Sequence, residues 1–226
     1  MSVADMVKTR GYWVVRIIPE EYPEKTPFTL QVLEAAVKNS SVAIRGWDFP
    51  HIDTHKSPIR APNHIEQPFD WQHYLELWRA YRSGQFVSLC GLWNDWRDKS
   101  TFWPPDCTWK SGTLLGVEDT VFRAVEIYEF AARWSTALGL TGRLTIDMKL
   151  QGLTDRALGL GPNRVPFMHP HVCSVQEWTF SESYSATALL AETRSLAVPP
   201  VISLFELFGW DVSKESIRGI QADFRK

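Results

Sequence analysis

Between Asp119 and Leu150 the sequence changes its apolar period from helical to alternating across a short connection that holds Gly139 and Gly142, and this change constrains the fold more than any other feature. Val121, Val125, Tyr128 and Ala132 recur on one face of a helix predicted from about Asp119 to Leu138. Glu118 and Asp119 sit at its N-terminal end, where the helix dipole favours anions, and Gly139 supplies a left-handed stop. Arg143 to Leu150 then alternates, with Leu144, Ile146, Met148 and Leu150 on one side and Thr145, Asp147 and Lys149 on the other. Such a strand has one face in water, so the chain mixes helices with a half-solvated sheet.

The remaining elements are read in the same way. Residues 11–18 form a strand expected to be buried on both faces, followed by a helix capped by Thr26, with Pro27 in its first turn and Leu30, Leu33 and Val37 on one face. With a second strand at 41–47, this order predicts a right-handed parallel crossover. Residues 48–69 read as a long loop, and Asp70 to Gly84 as a helix with Trp71, Tyr74, Leu75 and Trp78 along one stripe. Residues 85–93 read as a central strand and 113–117 as a short one. After an irregular stretch at 151–173 come a strand at 174–181, a helix capped by Ser181 or Ser183, a short helix opened by Pro199 and Pro200, and a last helix at 212–224. The expected class is α/β or α+β, a mixed and partly parallel sheet of about six strands with five or six helices. Residues 1–226 are expected to form one domain, with a possible sub-division near 94–112.

The eleven tryptophans weigh on that sub-division, because Trp96, Trp103 and Trp109 occupy a connection that would be polar if it were a free linker. With Arg97 they fit a protein interface, where tryptophan and arginine concentrate. A net charge of −2 argues against bulk electrostatic binding of nucleic acid or anionic lipid. Three widely spaced cysteines suggest neither a disulfide framework nor a cysteine zinc site, and reduced thiols in a cytoplasm are the expectation. No secretory leader or uninterrupted apolar span is read, so neither export nor a membrane is expected.

The densest set of chemically capable side chains is Arg45, Asp48, His51, Asp53 and His55, at the end of a predicted strand. Asp48, His51 and Asp53 supply carboxylate and imidazole groups suited to a divalent metal or to acid–base work in a hydrolase. The structural alternative pairs Arg45 with Asp48, bends the chain at Gly46 and buries Trp47 and Phe49. Asp147-Met-Lys149 resembles the D/E-x-K element of restriction-endonuclease-like nucleases, which implies a magnesium-binding carboxylate and a lysine beside the attacking water, with Glu118 or Asp119 as the further acid. His169, His171 and Cys173 offer three ligands for a zinc site that lacks its fourth. Trp71, Tyr74, Trp78 and Tyr81, interleaved with Arg79 and Arg82, offer stacking and phosphate contacts for single-stranded nucleic acid, a use less favoured than a core face. No GxSxG, HExxH or Walker sequence is present, and no cofactor is specified.

RGWDFPH at 45–51 and RSGQF at 82–86 resemble recurring motifs of uncharacterised bacterial proteins, some of which work in multi-component systems. The resemblance covers short stretches of the first half of the chain and implies no activity. The sequence reading is a non-catalytic binding or adaptor subunit, with a protein partner or homo-oligomer, in a larger bacterial assembly. A metal-dependent hydrolase or nuclease and a single-strand binder are its alternatives.

Overall fold

The computed structural model describes residues 1–21, 27–72, 74–96, 110–161 and 164–223. In chain order the elements are α1 (Val3–Val7), β1 (Tyr12–Pro19), α2 (Leu30–Ser40), β2 (Val42–Ala43), β3 (Asp48–Phe49), β4 (Ile59–Arg60), β5 (His64–Trp71), β6 (Tyr74–Tyr81) and β7 (Phe86–Gly91). A 3-10 turn (Trp93–Trp96), β8 (Leu114–Gly116), α3 (Val117–Ala137), β9 (Arg143–Gln151), β10 (Ala157–Gly159) and β11 (Glu177–Ser185) follow, then α4 (Ala186–Leu196), α5 (Val198–Glu206) and α6 (Lys214–Ala222). The class is mixed α and β, as expected. The main sheet, however, is antiparallel throughout its seven strands, in the order β11-β9-β1-β7-β6-β5-β4.

The predicted parallel crossover is therefore replaced. β1 lies between β9 and β7, while β2 folds back on β3 as a small ribbon pairing Val42 with Phe49 and Ala43 with Asp48. Gly46, at φ +78°, turns the chain inside what the sequence reads as one continuous strand. Among the described residues, parallel pairing is confined to β8 and β10, outside the main sheet. β1 also differs from expectation in burial: Trp13, Val15 and Ile17 point into the core, whereas Arg16 on the other face is exposed. The helix before β2 starts later than predicted, with Thr29 as its cap, and Thr26 lies outside the described residues.

A second correction concerns residues 70–84, which are a hairpin and not a helix. β5 and β6 pair from His64 with Tyr81 to Trp71 with Tyr74, so the loop between them is two residues long, and Gln72 takes the positive φ of 54°. Gly84, at φ +82°, belongs to the next turn, where its N–H donates to Tyr81 O. The helical stripe was misleading because both faces of β6 are buried, Trp78 and Ala80 toward one side and Leu75 and Leu77 toward the other. With both faces apolar, the alternation that identifies a strand disappears.

α3 crosses the inner face of the sheet. Phe130 packs on Phe86 at 4.5 Å between ring centroids, and Trp134 Nε1 donates to Gly84 O. Val117 to Ala137 and the alternating burial of β9 agree with the sequence reading, and Gly139 takes φ +64° at the predicted stop. α2, α4, α5 and α6 pack against α3, while α1 lies against β5, β6 and β7. Ser185 caps α4, in place of the expected Ser181 or Ser183. No single described helix is long and apolar enough to cross a membrane; α4 and α5 reach that length only together, across a 47° bend.

At one end of the sheet sits a buried ion pair that the sequence did not announce. Asp95 is fully buried and holds Arg156, 2% exposed, by two bonds: Nη1 to Oδ1 at 2.8 Å and Nη2 to Oδ2 at 2.5 Å. The Gly11 and Gly112 N–H groups donate to the same carboxylate, and Arg156 donates to Leu114 O and Gly152 O. The pair ties the start of β1 to the 3-10 turn, β8 and the loop after β9.

A candidate ligand-binding cleft

The small ribbon of β2 and β3 carries Arg45 and Trp47 in its turn and leads into the His51 segment, which the sheet fixes from below. Trp78 Nε1 donates to His51 O at 2.8 Å. Buried Gln67 accepts from the Asp53 N–H and donates to Asp53 O and Lys56 O. Asp48 and His51 do come together: Asp48 Oδ1 lies 2.5 Å from His51 Nδ1, and Asp48 Oδ2 accepts from the Ile52 N–H at 3.0 Å. Burial works against the Asp48 carboxylate, but the bond to His51, its charge and the Ile52 N–H outweigh it and hold its pKa below the ordinary 3.8.

The rest of the expected set does not converge. Asp53 turns into its own loop, accepting from the His55 N–H at 2.9 Å, with Lys56 Nζ at 4.0 Å. Among the described residues no group of three or more His, Cys, Asp or Glu side chains is placed to hold a metal ion. Nor does Arg45 pair with Asp48. It reaches α3 instead, donating from Nε and Nη2 to Glu126 at 2.9 and 2.8 Å and from Nη1 to Asp119 at 2.7 Å. These carboxylates raise the Arg45 pKa against the opposing effect of burial. Asp119, Arg123 and Glu126, at helical spacings of four and three, share the stripe of α3 that meets the ribbon.

Arg45 and Trp47 form one rim of a cleft of about 140 Å³, completed by Tyr74, Leu75, Glu76, Cys90, Gly91, Trp93, Asp119 and Arg123. Trp47 stacks on Tyr74 at 3.9 Å and on His51 at 4.2 Å, nearly parallel to both. Trp93 Nε1 donates to Asp119 Oδ2 at 2.9 Å. Beneath these rings lies Glu76, paired across the sheet with Cys90 and only 2% exposed. Ser88 Oγ donates to Glu76 Oε1 at 3.3 Å and the His51 N–H acts on the carboxyl, while Oε2 makes no hydrogen bond of good geometry among the described residues. Burial, against the pull of Arg123, pushes the Glu76 pKa up to about 7, and burial likewise pushes the Cys90 thiol up to about 12, which keeps it unreactive. Arg123 Nη1 lies 3.3 Å from Glu126 Oε2 but makes no hydrogen bond, and its Nη2 faces Cys90 Sγ at 3.7 Å.

On the other side of Trp47 a more open cleft of about 580 Å³ is lined by His51, Asp53, His55, Lys56, Asp70 and Trp71, with Phe69 among its apolar walls. The His51 segment thus lines this space, and Arg45 lines the inner one.

The other candidates separate. Asp147 and Lys149 project from the solvated face of β9, where Asp147 pairs with Arg16 and Lys149 with Glu177, while Glu118 bonds to the Gly161 N–H and Arg164. The acid the nuclease reading needs is thus engaged elsewhere. His171 Nδ1 contacts Gly209 O, Cys173 is fully buried and His169 is exposed, so these three do not form a ligand set. Trp78 is in the core and Arg79 is paired with Glu66, which leaves no line of stacking rings and free cations on β6. Trp96 is half-buried beneath the Arg10 guanidinium; Arg97, Trp103 and Trp109 lie outside the described residues.

Glu76, Trp93, Arg123 and Glu126 were missed by sequence reasoning. A strand reading of 74–81 would have placed Glu76 on the face of Trp78 and Ala80, where an acid stands out. The chain matches no family model, no curated protein and no solved structure.

Proposed function

We propose that the protein is a non-catalytic binding module whose ligand site is the cleft above Glu76 and Arg123. One observation carries this reading: Glu76 and Arg123, a carboxyl group and a guanidinium beneath aromatic rings, line the same cleft, and each keeps one buried polar atom without a hydrogen bond among the described residues. Leaving such an atom unmet costs about 1–3 kcal/mol, a cost that a ligand group would recover only by reaching it. The neighbouring chemistry supports binding over turnover. Cys90 stays protonated, and the Asp48–His51 pair lines the open cleft with no nucleophile or metal set beside it among the described residues. A place within a larger assembly, expected from the tryptophans of 94–112, belongs to the same proposal.

A thermal-shift panel of neutral fragments on the wild-type protein and Glu76→Leu tests the reading. Fragments that stabilise the wild type should lose their effect in the variant and be recovered chemically unchanged. Equal shifts in both proteins, or conversion of a bound fragment, would contradict it.

A further inference from the structure

The seven-stranded sheet ends in two edges that are built differently. At one of them β4 is only two residues long and carries Arg60. Beyond it β5 contains Pro68, which has no N–H to offer, and Gln67, whose side chain is bonded to the backbone of Asp53 and Lys56. Short strands, charges and prolines keep an edge from pairing with a further strand. At the other edge β11 runs for nine residues in unbroken register with β9 and holds no proline, lysine or arginine. The Gly152 N–H donates to Gln176 O and the Ala186 N–H to Gly142 O, so the even-numbered residues turn their backbone groups toward β9. These groups alternate sides along an antiparallel strand, so the odd-numbered residues turn theirs outward. Arg143 Nη2 takes Ser183 O at 2.5 Å. The N–H groups of Glu177, Thr179, Ser181 and Ser183 and the C=O groups of Glu177, Thr179 and Ser181 have no partner among the described residues.

That outward row is self-complementary. Two copies of β11 related by a two-fold axis face each other antiparallel with the same donors and acceptors on both sides, the arrangement of a closed dimer. With the axis at Phe180, the half-buried ring stands opposite its copy, and exposed Thr179 stands opposite Ser181 of the second copy. The charged side chains of the strand, Glu177 and Glu182, then meet Ser183 and Trp178 of the second copy, so no like charges oppose each other. We propose that β11 is an interface with a second copy of this chain, the two strands pairing antiparallel across a two-fold axis and joining both sheets into one. β9 and β1 separate β11 from β7 and β6, which line the cleft, so this interface goes beyond the cleft reading and stands or falls without it.

Sedimentation equilibrium of the purified full chain over a range of concentrations, joined to residue-resolved amide hydrogen exchange, tests this. The wild type should approach twice the chain mass as concentration rises, while the Thr179 and Ser181 N–H groups exchange more slowly. Ser181→Pro removes an outward N–H that the single chain does not use, so it should keep the wild-type circular dichroism. Across the axis the same change deletes two hydrogen bonds, and dimerisation should weaken at least about tenfold. Should that variant fail to fold, Ser181→Lys, at an exposed position beside Asp147, places a charge on the edge and should weaken the dimer by a similar factor. A wild type that stays monomeric, with rapid exchange at Thr179 and Ser181, overturns the proposal and leaves the edge to a strand of another protein. A dimer that the folded variants leave intact also overturns it, and places the contact on another surface.

Discussion

Two carboxylate–guanidinium clusters are buried among the described residues, and only one of them is finished. Around Asp95 and Arg156, both carboxylate oxygens and all three guanidinium nitrogens find partners, two of them backbone N–H groups and two backbone carbonyls. Around Glu76 and Arg123, one carboxylate oxygen and one guanidinium nitrogen, the latter 3.3 Å from Glu126, are left without a hydrogen bond among the described residues. Burial is similar for the acids, so burial alone does not separate a structural pair from a site. Completion does. A satisfied cluster stops water and ligands from competing for it, whereas an incomplete one beneath an aromatic rim has affinity to spare.

This contrast can be broken from the structural side first. Asp95→Ala leaves Arg156 charged and buried, and should cost about 3–5 kcal/mol in denaturant unfolding; a loss below about 1 kcal/mol would show that the pair does not hold the sheet end together. Gly11→Ala approaches the same cluster by steric means, because an added Cβ would stand 2.3 Å from Arg156 Nη2 and 2.7 Å from Leu92 Cδ1. A penalty of about 1–3 kcal/mol is expected, and an unchanged melting temperature would mean that the clamp yields.

On the cleft side, Trp78→Phe removes the bond to His51 O and should cost about 1–2 kcal/mol, since the segment carrying Trp47 and His51 is held through it. Wild-type stability in that variant would show the ribbon to be held elsewhere. The smallest effect belongs to Asp147→Ala. Its pair with Arg16 is 3.6 Å long and open to solvent, and the change should stay within about 0.5 kcal/mol. A larger loss would mean that the solvated face of β9 has a role not assigned to it.

Those elements whose two sides differ were legible in the sequence. β9 has one wet face and α3 has acidic residues and a glycine at its ends, so both were placed within a few residues. β6 was not legible, because α1 covers the side that would otherwise have been polar. The ribbon of β2 and β3 was missed for a related reason: two residues per strand carry no period, and Gly46 alone marks the turn. The site was half legible. Arg45, Asp48 and His51 stood out as a dense run of chemical groups, but the Arg45 partners Glu126 and Asp119 arrive from α3, and Glu76, which lines the same cleft, from β6, tens of residues away. Local spacing cannot show which partner an arginine takes, and it suggested Asp48.

The most direct test of the contrast is the pH dependence of stability in wild-type protein and Glu76→Gln. Glu76 has a folded pKa of about 7 against an ordinary 4.5, so the folded state holds its proton longer than the unfolded chain does. Its contribution is therefore fully present below about 4.5 and is lost as pH rises through about 7, a change of about 3 kcal/mol. Asp48, held below 3.8, titrates beneath this window and cancels in the comparison. The wild type should lose about 3 kcal/mol relative to Glu76→Gln between pH 4.5 and 8. Parallel curves for the two proteins would show that Glu76 is as well satisfied as Asp95, and the cleft would then be part of the scaffold.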